Sequence, residues 1–362
     1  MSNNLQSFFQ DLQQRGIVAN VANLDNFYQL EFEPKKKVVY LGIDCTGERL
    51  HIGHLFLLIQ TIRFAKEGFQ ILLVLGGATS KIGDPSDKNE ERPLLAVEKI
   101  ENYQAKIKAQ IERILIKPKK KEKNDLAPLE QFYADNPKLL NDICQILGVN
   151  PTTNKDQQWE DYLRYIWPLK ENNHFRILNN EDWLEKMNFI DFLRQTGKYL
   201  TIAYLSSKET VKKRINTGLS FLEFSYPLIQ AYDFYYLYKN YNCHGQLGGS
   251  DQWGNLTTGL KLIKSFYPEN QTFAFNFPLL ADSSGKKISK SESGKQALWL
   301  NSEHKVFFDF FRNMPDEQAK IYIKQFTFLS ESQINELAKL NNPPSRRIFQ
   351  RVLYELLWFI NS

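Results

Sequence analysis

Two histidines three residues apart, His51 and His54, are the first residues whose types and spacing point to chemistry. They enclose Ile52-Gly53 and lie between two apolar runs, Val38-Val39-Tyr40-Leu41-Gly42-Ile43 and Leu55-Phe56-Leu57-Leu58-Ile59. The first run reads as a buried strand, the second as a helix continuing to about Glu67-Gly68. Both imidazoles then lie on one face at a helix N-terminus. Free backbone N–H groups and the helix dipole make such an end an anion site, and Gly53 leaves the backbone open to a bulky ligand. The chemistry that fits is phosphate handling. A zinc site from Cys45, His51 and His54 is the weaker reading, because a fourth nearby ligand is missing.

About 230 residues further on stands a second polar element, Asp282-Ser283-Ser284-Gly285-Lys286-Lys287-Ile288-Ser289-Lys290-Ser291. Its composition alone fits a solvated loop. Other polar runs lie between the two elements. Gly76-Gly77-Ala78-Thr79 leads to Ile82-Gly83-Asp84-Pro85-Ser86; Phe224-Ser225-Tyr226 precedes Gln230-Ala231-Tyr232-Asp233; then comes Gln246-Leu247-Gly248-Gly249-Ser250-Asp251-Gln252-Trp253-Gly254-Asn255.

These residues need elements to position them. Residues 38–92 read as strand, helix, strand (Ile71 to Leu75) and Gly-rich loop, a βαβ unit that implies a parallel sheet with a right-handed crossover. Ile100, Tyr103, Ile107, Ile111 and Ile114 form a helical stripe over 98–116. Helices are also expected over 218–238, 251–265, 306–311 and 316–328, and the capping box Ser330-x-x-Gln333 starts another. A last amphipathic helix runs from Ser345 to Ile360, after the break at Pro343-Pro344. Residues 1–37 read as an N-terminal helix and lead-in. The Lys-rich run at 117–123 reads as a solvated linker tip, with contact to an RNA backbone as the sharper alternative.

Composition bounds the rest. A chain of 362 residues holds one sizeable core and a smaller second domain. A net charge of +5 is compatible with a polyanionic partner without demanding one. Three scattered cysteines point to a reducing compartment without a disulfide framework. No apolar run reaches the length of a membrane span, and the N-terminus has no secretory h-region.

The His51-Ile52-Gly53-His54 element, paired with Lys287-Ile288-Ser289-Lys290-Ser291, resembles the two-part signature of class I aminoacyl-tRNA synthetases. Ile288 stands where that family usually has Met. The intervening runs, above all Gly248-Gly249-Ser250-Asp251-Gln252-Trp253-Gly254-Asn255, are similar to tyrosyl-tRNA synthetases of the bacterial or organellar type, from about Val38 to about Leu337. The resemblance implies an α/β fold, with a Rossmann-like parallel-sheet catalytic domain over 38–295 followed by an α-helical domain over 296–362. A helical insertion is expected at about 93–180. The stretch from about Lys117 to Arg176 is longer than this family leads one to expect.

The activity implied is joining tyrosine to ATP, then passing it to the terminal adenosine of tRNA(Tyr). Thr46 and His51 are then expected at the γ-phosphate and His54 near the ribose. Lys88, Arg92, Lys287 and Lys290 would converge on the departing pyrophosphate. Gly42, Asp44, Gly53, Gly248 and Asp251 would line the ATP side, Asp251 at the ribose hydroxyls. Tyr40 and Asp233 would bracket the phenol hydroxyl; Thr79, Asp84, Tyr226 and Gln230 the ammonium; Gln252 the carboxylate. Mg²⁺ is expected to arrive with ATP and not on protein ligands. A cytoplasmic or organellar homodimer is implied, with Phe221 near its axis and no membrane attachment. The further RNA-binding domain that bacterial relatives usually carry is not recognisable, which would weaken tRNA charging. Leu41, where many relatives have a small polar residue, is expected to remove a ribose hydrogen bond. Asp87, where Gly is common, would perturb the loop beside Lys88. Tryptophan activation is the nearest rival. An RNA-binding protein on a synthetase scaffold and an unrelated nucleotide-binding domain are the others.

Overall fold

The computed structural model describes residues 5–86, 94–116, 137–148, 174–216, 218–281, 298–341 and 347–361. They divide into two compact units. The first draws on 1–49, 60–109 and 173–279, the second on 50–59, 110–172 and 280–362.

The first unit contains a six-stranded sheet built from β1 (Asn20–Ala22), β2 (Val38–Asp44), β3 (Gln70–Gly76), β4 (Phe175–Asn179), β5 (Gly245–Gly249) and β6 (Phe273–Phe277). Its spatial order is β1-β6-β5-β2-β3-β4. All neighbours are parallel except the edge pair β1 and β6. β2 and β3 are near-continuous apolar runs, as strands covered on both faces require. Only Gly42 of β2 and Gln70 of β3 are exposed. From β2 the chain proceeds to β3 and β4 on one side, and later to β5 and β6 on the other. Such a reversal opens a crevice at the carboxyl ends of the two central strands, where open α/β sheets bind ligands.

Two sets of side chains cover the sheet. Phe27, fully buried, has the rings of Phe8, Phe64, Phe69, Phe273 and Phe275 within 5.0–6.4 Å of its centroid. Phe8 and Phe9 come from the inward face of α1 (Leu5–Gln14). A second cluster joins Tyr40, Leu72, Val74, Trp183, Phe234, Leu237, Leu256 and Ile263. Burying each such side chain contributes roughly 1.5–3 kcal/mol, which accounts for much of the chain's aromatic content without any functional cause.

The expected βαβ unit is present. β2 leads to α2 (Ile52–Lys66), Gly68 at φ 85° ends that helix region, and β3 leads into α3 (Gly77–Ile82). α4 (Val97–Ile111) carries the predicted stripe, and α5 (Glu181–Leu184) follows β4. α6 (Phe221–Tyr241) is capped at its start by Ser220, whose side chain accepts from the Glu223 N–H, and is closed by left-handed Asn242. α7 (Trp253–Phe266) follows β5.

Sequence patterning missed three strands of the parallel sheet. β5 is glycine-rich and reads as a loop. It is an interior strand paired with β2 and β6, and it needs glycine at 245 because a Cβ there would lie 2.4 Å from the Phe273 ring and 2.6 Å from Val39. β6 was hidden in an unassigned Phe-rich run, and β4 lies in the stretch expected to be an insertion.

In the second unit are α8 (His304–Arg312), α9 (Asp316–Phe326), α10 (Glu331–Leu340) and α11 (Ile348–Asn361). The Ser330/Gln333 capping box forms as expected. Leu50 to Ile52 pair with Leu298 to Leu300: Ile52 N–H donates to Leu298 C=O at 2.9 Å, and Leu300 N–H to Leu50 C=O at 2.8 Å. Among the described residues, no helix is long and apolar enough to cross a membrane.

Candidate active site

Two polar networks lie at the carboxyl-end side of the sheet within the first unit, one joining Asp44 to Asp233 and one around Asp84. α6 contributes Tyr226, Gln230 and Asp233, which share one helix face because they fall at i, i+4 and i+7. The Tyr226 hydroxyl donates to Asp44 Oδ2 at 2.9 Å, and the Thr79 hydroxyl donates to Asp44 Oδ1 at 2.9 Å. Asn180 Nδ2 donates to Thr79 Oγ1 at 3.2 Å and to Asp233 Oδ2 at 3.0 Å. Trp183 Nε1 donates to the other Asp233 oxygen at 2.7 Å. Asp84 is held by the Ser86 N–H at 2.8 Å and by Gln252 Nε2 at 2.6 Å. Gln252 Oε1 in turn accepts from Asn255.

Asp233 is buried, and burial pushes its carboxyl up to about 7, partly countered by the Asn180 and Trp183 donors. Burial, and then the nearby Asp233 charge, also raise the Tyr40 phenol well above its ordinary value. The Tyr40 hydroxyl has no hydrogen-bond partner although the residue is 2% exposed. Gln246, its register partner on β5, has an unpartnered buried Oε1. Buried polar atoms of this kind are uncommon, and a site that a ligand completes is one physical reason for them. Two residues beyond Tyr40, Gly42 is exposed in the middle of an interior strand, and an added Cβ there would meet nothing within 4 Å.

The histidine pair lies in the second unit, with the ring centroids 3.8 Å apart. His51 directly precedes α2 and bridges to Trp299, while His54 sits in the first turn. The Gly53 N–H donates to His51 Nδ1 and the His51 N–H to His54 Nδ1, both at 3.1 Å. Each neutral imidazole therefore carries its proton on Nε2, the donor an anion would need. The expected open backbone is absent. The N–H groups of Ile52, Gly53, His54 and Leu55 all have protein acceptors, and the His51 ring lies 2.9 Å from where a Gly53 Cβ would be. Gly53 makes room for the imidazole itself.

Of the remaining expected residues, Asp251 lies in the Ser250–Gln252 turn after β5, and a Cβ on Gly249 would be 2.5 Å from its carboxylate. Gly248 is buried in β5, and Thr46 is half-buried just beyond β2. Lys88, Arg92, Lys287 and Lys290 lie outside the described residues, as do Asp87 and most of 117–176. Among the described residues, no group of three His, Cys, Asp or Glu side chains is arranged to hold a metal ion. Sequence reasoning missed Asn180, Trp183 and Gln246. Asp44, expected on the ATP side, has its carboxylate bonded to Tyr226 and Thr79. A Trp directly after the polar run Asn179-Asn180-Glu181-Asp182 was the available signal for Asn180 and Trp183.

The profile of the family described as tRNA synthetases class I (W and Y) matches residues 33–357. The chain belongs to this family. It is 36% identical over 349 residues to the tyrosine–tRNA ligase of Geobacillus stearothermophilus, covering 95% of this chain and 70% of that relative's length. It is 35% identical over 359 residues to the Mycoplasma capricolum tyrosine–tRNA ligase, covering 98% of this chain and 71% of that protein. Among solved structures, a C-terminally truncated Aspergillus nidulans mitochondrial tyrosyl-tRNA synthetase superposes with a TM-score of 0.72 at 26% identity, covering 98% of this chain and 89% of that one. The sheet and its crevice are thus the α/β catalytic fold of a class I synthetase, and the chain is a ligase of that family.

Proposed function

We propose that this chain activates tyrosine with ATP, releasing pyrophosphate, and transfers the tyrosyl group to the 3′-terminal adenosine of tRNA(Tyr). The observation that carries this reading is the buried, unpartnered Tyr40 hydroxyl close to an Asp233 carboxylate fixed by Asn180 and Trp183. A substrate phenol hydroxyl can both donate to the carboxylate and accept from Tyr40. Phenylalanine would leave the Tyr40 hydroxyl unsatisfied and Asp233 with its two protein donors alone, and an indole would present its N–H at a different depth.

In this reading Asp84, Thr79, Tyr226 and Gln230 accept from the tyrosine ammonium, and Gln252, which donates to Asp84, takes the carboxylate. That carboxylate is already ionised, so attack on the α-phosphate needs orientation and countercharge and no general base. His51 and Thr46 supply donors to the γ-phosphate, and His54 supplies one near the ribose. Gly42 leaves room for the nucleotide, Gly53 admits the His51 ring and Gly248 the Gln252 and Leu256 side chains, Asp44 ties Tyr226 to Thr79, and Asp251 takes the ribose hydroxyls. Lys88, Arg92, Lys287 and Lys290 supply charge to the leaving pyrophosphate. Mg²⁺ enters as the counter-ion of ATP. In the second step a terminal ribose hydroxyl attacks the mixed-anhydride carbonyl and AMP leaves.

Binding of tRNA is supported by a basic surface around Tyr204. The Lys208 and Lys261 ammoniums sit 4.1 and 3.9 Å from its ring centroid, with Lys198, Lys212, Lys213 and Lys264 exposed nearby in sequence. A homodimer is supported by exposed apolar side chains at Phe189, Ile190, Ile202, Ile215 and Phe221. Three buried free cysteines suit the reducing cytoplasm or an organelle. The test is calorimetric titration with tyrosine, phenylalanine and tryptophan. Tyrosine binding at least tenfold tighter than both others is expected; tighter binding of tryptophan would overturn the assignment.

A further inference from the structure

Outside the pocket, one ion cluster joins the two walls that shape it. α3 carries Thr79 and leads through Gly83, at φ 86°, to Asp84. α5 begins just after Asn180 and contains Trp183, the two residues that grip Asp233. Between these elements stands Lys81. Its Nζ lies 2.9 Å from Glu181 Oε1 and 2.6 Å from Glu185 Oε1. Glu181 is a hub: its other oxygen accepts from Asn179 Nδ2 at 2.7 Å and Gln104 Nε2 at 3.5 Å, the latter on α4. The walls are also in close contact. A Cβ on Gly77 would fall 2.5 Å from Asn179 Oδ1 and 2.6 Å from the Glu181 carboxyl carbon. Ala78 N–H donates to Asn180 Oδ1 at 2.9 Å. The orientation of the Asn180 amide, and with it the aim of Asp233, therefore depends on α3 and α5 keeping this spacing.

We propose that Lys81 is a positioning residue of the amino-acid pocket, drawing Glu181 and Glu185 onto α3 so that Asn180 and Trp183 hold Asp233 in register with Thr79 and Asp84. This rests on the tyrosine reading of the site. Lys81 touches no part of the network directly. Its two carboxylates raise its ammonium above the ordinary range, chiefly through hydrogen bonds to Glu185 and Glu181. Because the cluster is partly solvated, salt screens it, whereas the buried Asp233 contacts are screened much less.

The test compares wild type, Lys81→Met and Lys81→Arg in tyrosine-dependent pyrophosphate exchange at low and high potassium chloride. Lys81→Met should raise the tyrosine KM about 3- to 10-fold, the range for two half-exposed ion pairs, and leave the ATP KM within about twofold. Lys81→Arg should restore most of the loss. Salt should move the wild-type tyrosine KM toward that of Lys81→Met and leave the variant's value unchanged. An unchanged tyrosine KM in Lys81→Met, an equal rise in both KM values, or a salt response shared by wild type and variant overturns the proposal. Should Lys81→Met fail to fold, Glu185→Gln removes one ion pair at a more exposed position. A smaller, salt-sensitive rise in tyrosine KM then supports the proposal, and no rise overturns it. Wild type without tyrosine-dependent exchange defeats the functional reading; an active wild type with an indifferent Lys81→Met defeats this inference alone.

Discussion

Replacing Tyr40 by phenylalanine should strengthen the free protein and weaken its tyrosine complex. In the free protein the hydroxyl is buried without a hydrogen-bond partner. Leaving such a group unsatisfied costs about 1–3 kcal/mol. Phenylalanine fills the same volume without the polar atom, so part of that cost is relieved. We expect unfolding to become harder by up to about 1 kcal/mol, a rise of roughly 1–3 °C in melting temperature for a chain of this size. With tyrosine bound, the hydroxyl gains a partner whose net value is about 0.5–1.5 kcal/mol, so the substitution should weaken tyrosine binding about 2- to 10-fold. Phenylalanine, which offers no hydroxyl, should bind no worse, and discrimination should narrow by the same factor. Scanning fluorimetry of the free protein and calorimetric titration with both amino acids read the two effects separately. A variant that is less stable yet binds tyrosine as before would show that the Tyr40 hydroxyl has a structural partner and that the phenol site lies elsewhere.

Gly42→Ala should leave the melting temperature nearly unchanged, since the added Cβ meets nothing within 4 Å. It should lower activation by about tenfold to a hundredfold by filling space the substrates need, measured as kcat/KM in exchange. His244 is 3% exposed, and burial, the largest cause, lowers its imidazole from 6.5 to about 4. The unfolded chain then takes up the proton first. Stability from this group is full above pH 6.5 and declines as pH falls toward 4, by up to about 3 kcal/mol. Denaturant titrations across that window should show a shallower pH slope in His244→Gln. Glu223→Gln removes the counter-charge of Arg214, which is 4% exposed and paired at 2.8 Å, and should cost about 3–5 kcal/mol in chemical unfolding.

Much of the site was legible because its residues lie where local patterns speak. His51 and His54 flank the first turn of an apolar helix, and Tyr226, Gln230 and Asp233 repeat at helical spacing. Tyr40 and Gly42 fall on one face of an obvious strand. What was illegible depends on contacts between distant segments. Asn180 meets Asp233 across 53 residues and Thr79 across 101, and no local periodicity records such pairings. β5 was hidden by the glycines that let it pack beneath Phe273. The first turn of α2 was misread in one respect. Its backbone donors looked available, but the imidazoles and neighbouring carbonyls use them, so the donor nitrogen is Nε2 of each histidine.

The activity at stake is the activation of tyrosine by ATP, read from the buried phenol site. Exchange of labelled pyrophosphate into ATP, run with tyrosine, with tryptophan and with no amino acid, tests it most directly. Exchange that appears with tyrosine and stays at background in the other two reactions is the predicted result. Folded protein that exchanges equally without amino acid, or only with tryptophan, would contradict the claim.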